Sequence, residues 1–275
     1  MGTLYLVATP IGNLADLTER ARDVLGAVDV VVAEDTRRTG KLLKHLEIRT
    51  KLLSVHGDSP AHRIERVVEL LAAGDVAYCT DAGTPGVSDP GAALVDAARA
   101  AGHAVSPVPG PSALVAALSV SGIESVGAVF LGFVSRREAR RREALESAAA
   151  TGLPVVIYAS PRRAAAVAAE CVDVFGEAAP LVVCRELTKL HEEIVEATLG
   201  EADELEVLAK ARGEYVLVVG PAALIAAEPT DKEIIATIRE QLGTGKSLRD
   251  AAAAVATELN ISRRRAYQLG LQIGE

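Results

Sequence analysis

Short runs of Val, Leu, Ile and Ala recur through the first half of the chain, and they are continuously apolar rather than alternating with polar residues. Residues 4–8, 28–33, 51–55, 76–79 and 104–108 read as strands buried on both faces. The stretches between them, 18–25, 36–45, 61–73 and 91–101, place apolar residues at helical spacing. Regular alternation of strand and helix predicts a mostly parallel sheet covered on both sides. Residues 107–112 break the pattern with three prolines and a glycine, which predicts a linker or hinge.

The second half has a different rhythm. Residues 126–131, 154–159, 181–185, 192–198 and 215–220 read as strands, with helices at 135–150, 161–174 and 201–212. The runs at 181–185 and 194–198 are too close for a helical crossover, so they should pair antiparallel and make this sheet mixed. Residues 221–230 read as a linker. Beyond it, 231–275 form a small helical unit. One helix covers 247–260, and Ser262 is placed to cap a second that carries Arg263, Arg264, Arg265 and Tyr267. Helix, short turn and Arg-rich helix resemble a helix-turn-helix, whose last helix faces either nucleic acid or solvent. The expected division is 1–110, 111–225 and 231–275.

Composition narrows the class further. Of 275 residues, 49% are apolar and 24% charged, which fits a folded chain and not a disordered one. Aromatics are only 3%, with no Trp, so the core must be Val, Leu, Ile and Ala. No apolar run has the length of a membrane span, and residues 1–5 enter strand pattern without a signal peptide. Cys79, Cys171 and Cys184 are odd in number and widely spaced; buried reduced thiols and a cytoplasmic location are expected. The net charge of −8 argues against indiscriminate nucleic-acid binding but allows a local basic face. Arginines gather at Arg136, Arg137, Arg140, Arg141 and Arg142, at Arg162 and Arg163, and in the tail.

The densest chemistry lies at 80–91, between a buried strand and an alanine-rich helix. Three glycines and two prolines accompany Asp81 there, more than a surface turn needs, so the backbone is shaped for close approach to a ligand. Residues 4–18 give a strand, a glycine-containing turn and a helix capped by Thr18, without the G-x-G-x-x-G spacing of a dinucleotide fold. At 33–40 charged residues follow a buried strand directly.

Taken in order, residues 9–13, 33–40, 81–85, 109–113 and 185–189 resemble the ribosomal RNA small subunit methyltransferase I family, a branch of the tetrapyrrole-methylase-like enzymes. The resemblance runs through 3–220, and the helical tail matches an extension found in that family. It implies a two-domain α/β methylase, normally a homodimer, with S-adenosyl-L-methionine held between its domains. It also implies 2′-O-methylation of a cytidine in the decoding region of 16S rRNA, within the small ribosomal subunit. Tetrapyrrole methylases carry a G-x-G-x-G-D loop after the first strand; residues 9–13 read TPIGN here, which disfavours a corrin-type substrate. The alternatives are a small-molecule methyltransferase, or a nucleotide-sensing regulator that binds DNA through the terminal helices.

Methyl transfer from a sulfonium is an in-line displacement, and a ribose hydroxyl needs a base or a polarising cation to act as its acceptor. That chemistry requires no metal, and the chain shows no clustered metal ligands. Asp81 suits the cofactor's amino group or ribose, with Gly83 and Thr84 beside it; capping a turn is its plainer role. The resemblance adds Ile11, Ser112 and Ala113 to the cofactor wall, and Ala159 and Leu187 from strand ends. Ser112 equally suits capping the next helix, and Glu214 is either a cleft contact or a turn carboxylate.

On the acceptor side, Glu34, Asp35, Arg37, His56 and Lys189 lie at or just past strand ends, the edge where open α/β sheets bind ligands. Glu34, Asp35 or His56 would serve as base; Arg37 and Lys189 would hold phosphates or polarise the hydroxyl. A structural ion pair of Arg37 with Glu34 or Asp35 is the plain alternative, and for His56 a hydrogen-bonded turn. Arg136, Arg137, Arg140, Arg141 and Arg264 are the expected RNA backbone contacts.

Overall fold

The structure, a computed structural model, describes every residue except Met1, Asp58, Asp89, Pro90, 222–230, Thr244, Asn260 and Glu275. The linker expected at 221–230 and the end of the 80–91 loop lie largely outside the described residues. Compactness divides the chain into Met1–Ala222 and Ala223–Glu275.

In the first unit β1 (Thr3–Val7), α1 (Glu19–Ala27), β2 (Val30–Ala33), α2 (Thr36–His45), β3 (Lys51–Ser54), α3 (Ala61–Ala73), β4 (Val76–Cys79), α4 (Ala92–Ala100) and β5 (Ala104–Val108) alternate as the pattern predicts. All five strands are parallel, in the order β3-β2-β4-β1-β5. Side chains alternate between faces. Val30, Val32, Val76 and Tyr78 pack with Val67, Leu71, Leu94 and Ala98 of α3 and α4. Val31, Ala77 and Cys79 pack with Ala21, Leu25 and Leu43 of α1 and α2. Both faces are buried, which is why these strands read as unbroken apolar runs. Thr18 Oγ1 accepts the Ala21 N–H at 3.1 Å and starts α1. Because β2, β4 and β1 are neighbours running the same way, the loops after all three meet at one sheet edge.

The second sheet follows α5 (Ala113–Val120). It contains β6 (Val129–Phe133), β7 (Val155–Ala159), β8 (Pro180–Arg185), β9 (Glu193–Thr198) and β10 (Tyr215–Val219), in the order β6-β7-β10-β8-β9. Only β6 and β7 are parallel, so the sheet is mixed as expected. Ala117 of α5 packs on one face, against Val156, Val182, Cys184, Val216 and Val218. On the other face α6 (Glu138–Ala149) and α7 (Ala164–Phe175) cover Val155, Ile157, Leu181, Val183 and Leu217.

Three local differences from the sequence reading have physical causes. The helix after Ser112, given no bounds by the sequence pattern, is α5, apolar on nearly every face and preceded by a proline-rich turn. The strand expected at 126–131 begins later, at Val129. The helix expected at 201–212 is a 3-10 turn, Leu199–Glu204, followed by the short α8 (Glu206–Ala209). Glu201 Oε2 reaches back to the Thr198 N–H at 2.7 Å and starts the turn early, while Leu205 in extended backbone ends it. The boundary expected at 110 separates the two sheets, yet both belong to one compact unit.

The second unit packs α9 (Asp231–Gly243), α10 (Leu248–Glu258) and α11 (Arg263–Leu271) around Ile234, Ile238, Val255, Ala266 and Leu269. Ser247 caps α10 through the Asp250 N–H, and Ser262 caps α11 through the Arg265 N–H, both at 3.2 Å. Among the described residues no helix is long and apolar enough to cross a membrane.

Candidate active site

The loop after β1 and the loop after β4 are stitched together by backbone. Thr9 N donates to Gly83 O at 2.9 Å, and Gly83 N donates back to Thr9 O at 3.0 Å. Gly83 adopts φ 82°, left-handed backbone that favours glycine. Thr84 Oγ1 then donates to Pro111 O at 3.1 Å, fixing the turn after β5 beside them. Ser112 occupies the N-cap position of α5 in extended backbone, makes no side-chain capping bond, and lines the cleft.

These loops and the ends of β7, β8 and β10 enclose a cavity of about 400 Å³. All eight residues expected at the cofactor line it: Ile11, Asp81, Gly83, Thr84, Ser112, Ala113, Ala159 and Leu187. Glu214 lines it as well. They come from both sheets and are brought together only by the fold.

Asp81 is the pivot. Its backbone N–H donates to Glu34 Oε2 at 3.2 Å, and its Oδ2 pairs with Arg38 Nε at 3.4 Å. Its other oxygen, Oδ1, is buried with no hydrogen-bond partner. Asp81 and Arg38 also line a second, smaller cavity of about 170 Å³ with Thr9, Thr39, Lys41 and Thr80. Thr80 is buried too, and its Oγ1 has no partner. A buried acceptor left unsatisfied is costly unless something arrives to satisfy it. Both cavities thus share one wall, and that wall carries unused hydrogen-bonding capacity.

The acceptor-side candidates do not line the large cavity. Glu34 and Lys189 each bond a residue that does, Glu34 accepting from the Asp81 N–H and Lys189 donating to Glu214. Asp35 caps α2 through the Arg37 N–H at 2.8 Å and binds the Arg37 guanidinium at 2.7 Å. Those hydrogen bonds hold its carboxyl down at about 2, so it is a committed structural anion. Arg37 points away, 87% exposed, and its neighbour Arg38 makes the cleft contact instead. His56 is exposed on a separate small cavity with Ile64, Tyr78 and Leu94. Its backbone N–H bonds Ser59 Oγ at 2.8 Å, the turn role.

Lys189 closes the other side of the cleft. Burial disfavours its charge, yet hydrogen bonds to Glu186 Oε1 at 2.7 Å and Glu214 Oε2 at 2.9 Å hold its pKa above the usual lysine value. Glu186 Oε1 also accepts the Glu214 N–H at 2.9 Å. Burial alone would raise the Glu186 carboxyl, but Lys189 and that N–H keep it below the usual carboxylate range. Glu186 and Thr188 take left-handed backbone, φ 54° and 64°, on either side of Leu187. The loop packs directly on Gly12, where a Cβ would lie 2.8 Å from Leu187 O and 2.5 Å from Lys189 Cγ.

On the basic stretch the expectation needs a correction. Arg136, Arg137 and Arg140 are exposed, but Arg141 is buried, 8% exposed, and its guanidinium is clamped by Glu170. It also donates to Ser135 O at 2.9 Å and Arg136 O at 3.2 Å. Helical phase turns this one arginine inward, so it cannot reach RNA phosphate. In the tail Arg264 is exposed on α11, whereas Arg265 pairs with Asp231 at 3.0 Å.

The structure adds cavity residues the sequence reading passed over, among them Arg38, Ser88, Phe133, Tyr158 and Gly213. Arg38 was legible as a charge beside a buried strand. Phe133 and Tyr158 stood out only as aromatics in a chain poor in them. The three cysteines are buried free thiols; burial pushes Cys79 up to about 12. Among the described residues no group of His, Cys, Asp and Glu is placed to hold a metal.

Residues 3–203 match the family model of the tetrapyrrole (corrin/porphyrin) methylases. A ribosomal RNA small subunit methyltransferase I from Synechocystis sp. is 39% identical, covering 99% of each chain. Those of Xylella fastidiosa and Escherichia coli O157:H7 are 41% and 39% identical, over 98% of this chain. This chain belongs to the ribosomal RNA small subunit methyltransferase I family. Solved structures of a cobalt precorrin-4 methyltransferase and a Thermus thermophilus uroporphyrin III C-methyltransferase share its fold, with TM-scores of 0.60 and 0.58 at 18% and 20% identity. Each covers 80% of this chain. The family's full-length relatives favour neither the small-molecule reading nor the regulator.

Proposed function

We propose that the protein transfers a methyl group from S-adenosyl-L-methionine to the ribose 2′-hydroxyl of a cytidine in the decoding region of 16S rRNA, acting on the small ribosomal subunit. Full-length similarity to ribosomal RNA methyltransferases carries the reading. The cleft residues fit the donor: a buried carboxylate oxygen of Asp81 waits for a hydrogen-bond donor, and left-handed Gly83 allows close approach. Asp81, Gly83, Thr84, Ser112 and Ala113 would hold it from one sheet, Ile11 from the β1 loop, and Ala159 and Leu187 from the other sheet. When bound, the sulfonium supplies an activated methyl group and its own leaving group.

The chain's share of the work is alignment. Asp81 faces both cavities, so the same carboxylate that orients the donor orders the acceptor beside it. Arg38 Nε pairs with Asp81 Oδ2 and holds the carboxylate in place. Glu34 is the first candidate to take the hydroxyl proton, through its position on the Asp81 backbone. Asp35 and Arg37 serve by shaping the start of α2, Lys189 by fixing the Leu187 wall, and His56 stands apart from the reaction centre. Arg136, Arg137 and Arg140, and Arg264 in the tail, would neutralise rRNA phosphates. The protein would act as a homodimer in the cytoplasm.

The test is incubation with labelled S-adenosyl-L-methionine and small ribosomal subunits lacking the modification, followed by mapping of the labelled nucleotide. Label confined to one cytidine ribose is expected; label in no RNA would sink the reading. Substituting Arg136 and Arg140 by Ala should lower the slope of log affinity against log salt by roughly two and leave donor affinity intact.

A further inference from the structure

In a chain with only 3% aromatics, two rings, Phe133 and Tyr158, line the large cavity, and a third, Phe130, packs against Tyr158. Phe133 is 66% exposed and lines the cavity with Tyr158. Its ring meets Tyr158 edge-on with centroids 5.6 Å apart, and Phe130 meets the same ring at 4.9 Å. Residues three apart on a regular strand face opposite sides of the sheet. Phe130 and Phe133 share a side because the register of β6 on β7 shifts between Phe130 and Gly132, where Gly132 takes φ 57°. A Cβ at that position would overlap Ser88 Oγ. A bulge of this kind re-aims one side chain, here toward the cleft.

The backbone just beyond the ring is braced. Arg163 donates to Val134 O and Ser135 O, each at 3.1 Å, and Arg141 takes Ser135 O and Arg136 O while Glu170 clamps it. Two buried or half-buried guanidiniums therefore fix three successive carbonyls. Arg136, Arg137 and Arg140 follow, exposed to solvent. A flat apolar ring bordered by free cations matches the two surfaces of an unpaired nucleotide, its base and its phosphate.

We propose that Phe133 is a stacking platform for an unstacked base of the substrate RNA at the mouth of the donor cleft. This rests on the RNA methyltransferase reading. A nucleotide drawn into a cleft for chemistry loses its stacking neighbours, and an aromatic face replaces part of that loss. A second copy of this chain is a poorer occupant, since a two-fold contact here would bring like arginine clusters together.

The test compares Phe133→Ala, Phe133→Leu and Phe133→Tyr in steady-state methylation of small ribosomal subunits. Donor affinity is measured by titration calorimetry and molecular mass by sedimentation. Stacking predicts that Ala and Leu raise the KM for subunits about tenfold, that Tyr restores it, and that donor affinity changes less than about threefold. Leu keeps the apolar packing on Tyr158, so the Leu–Tyr contrast decides even where Ala perturbs folding. A Leu variant equal to wild type would overturn the platform, as would donor affinity falling in step with KM, or a loss of dimer mass that accounts for the change. A wild-type protein that labels no subunit would remove the reading and the platform together.

Discussion

The two loops that face each other across the cavity reach unusual backbone shapes with different shares of glycine and side-chain support. The loop after β4 relies mainly on glycine: Gly83 and Gly86 take left-handed backbone at φ 82° and 85°, and Ser88 joins them at φ 62°. The loop after β8 places Glu186 and Thr188 in that region instead and holds them with side chains. In the first, the central carboxylate keeps a buried oxygen unpartnered. In the second, Glu186, Lys189 and Glu214 satisfy one another. One loop leaves its carboxylate with unused hydrogen-bonding capacity, while the charges of the other are paired and only Thr188 Oγ1 is left without a partner. The same contrast recurs on α6, where Arg140 is exposed and Arg141 is clamped by Glu170.

The contrast breaks most readily at the committed residues. Arg141→Ala leaves Glu170 unpaired and three-way bracing lost, and should destabilise the protein by about 3 kcal/mol in urea unfolding. Loss below about 0.5 kcal/mol would place Arg141 with its exposed neighbours. Asp81→Asn tests the free side: donor affinity should fall roughly 10- to 100-fold by calorimetry, the scale of a charge-assisted hydrogen bond. Its melting temperature should stay within about 2 °C of wild type, because Oδ1 has no partner and the Arg38 pair on Oδ2 is long and partly exposed. A large loss of stability with donor affinity kept would reverse the assignment.

Gly12→Ala presses on Leu187 O and Lys189 from the opposite loop. Overpacking against backbone should cost about 1–3 kcal/mol and weaken donor binding, with both effects relieved in part by Lys189→Ala. The smallest effect is on pH. The folded-state pKa of Glu186 is lowered, so its contribution is present above the unfolded value and is lost as pH falls through the folded one. That of Lys189 is raised, so its contribution is present below the unfolded value and lost as pH rises through the folded one. Glu186→Gln should therefore flatten the acid limb of a melting-temperature profile, while Lys189→Met flattens both.

Much of the fold was legible from periodicity. Doubly buried parallel strands leave continuous apolar runs, and the strand at 76–79 and helices at 36–45 and 61–73 appear at the expected bounds. The extent of α5 escaped, though Ser112 suited its start, because a helix apolar nearly all round shows no amphipathic period. One wall of the cavity was legible as well, since glycine and proline at 80–91 and 107–112 announce built turns. The loop at 186–189 announces nothing of its shape, because its strain is held by long side chains from distant positions.

By itself the sequence determined the strand–helix order, the helix starts at Thr18, Ser247 and Ser262, the family, and the turns that open one wall of the cleft. These are local matters of burial pattern, capping and backbone freedom. Only the tertiary structure decided which charges are free. Arg37 and Arg38, or Arg140 and Arg141, are equivalent as neighbours in a chain. Helical phase and the carboxylates that fold back against them separate those that face a cavity or solvent from those that hold the protein together.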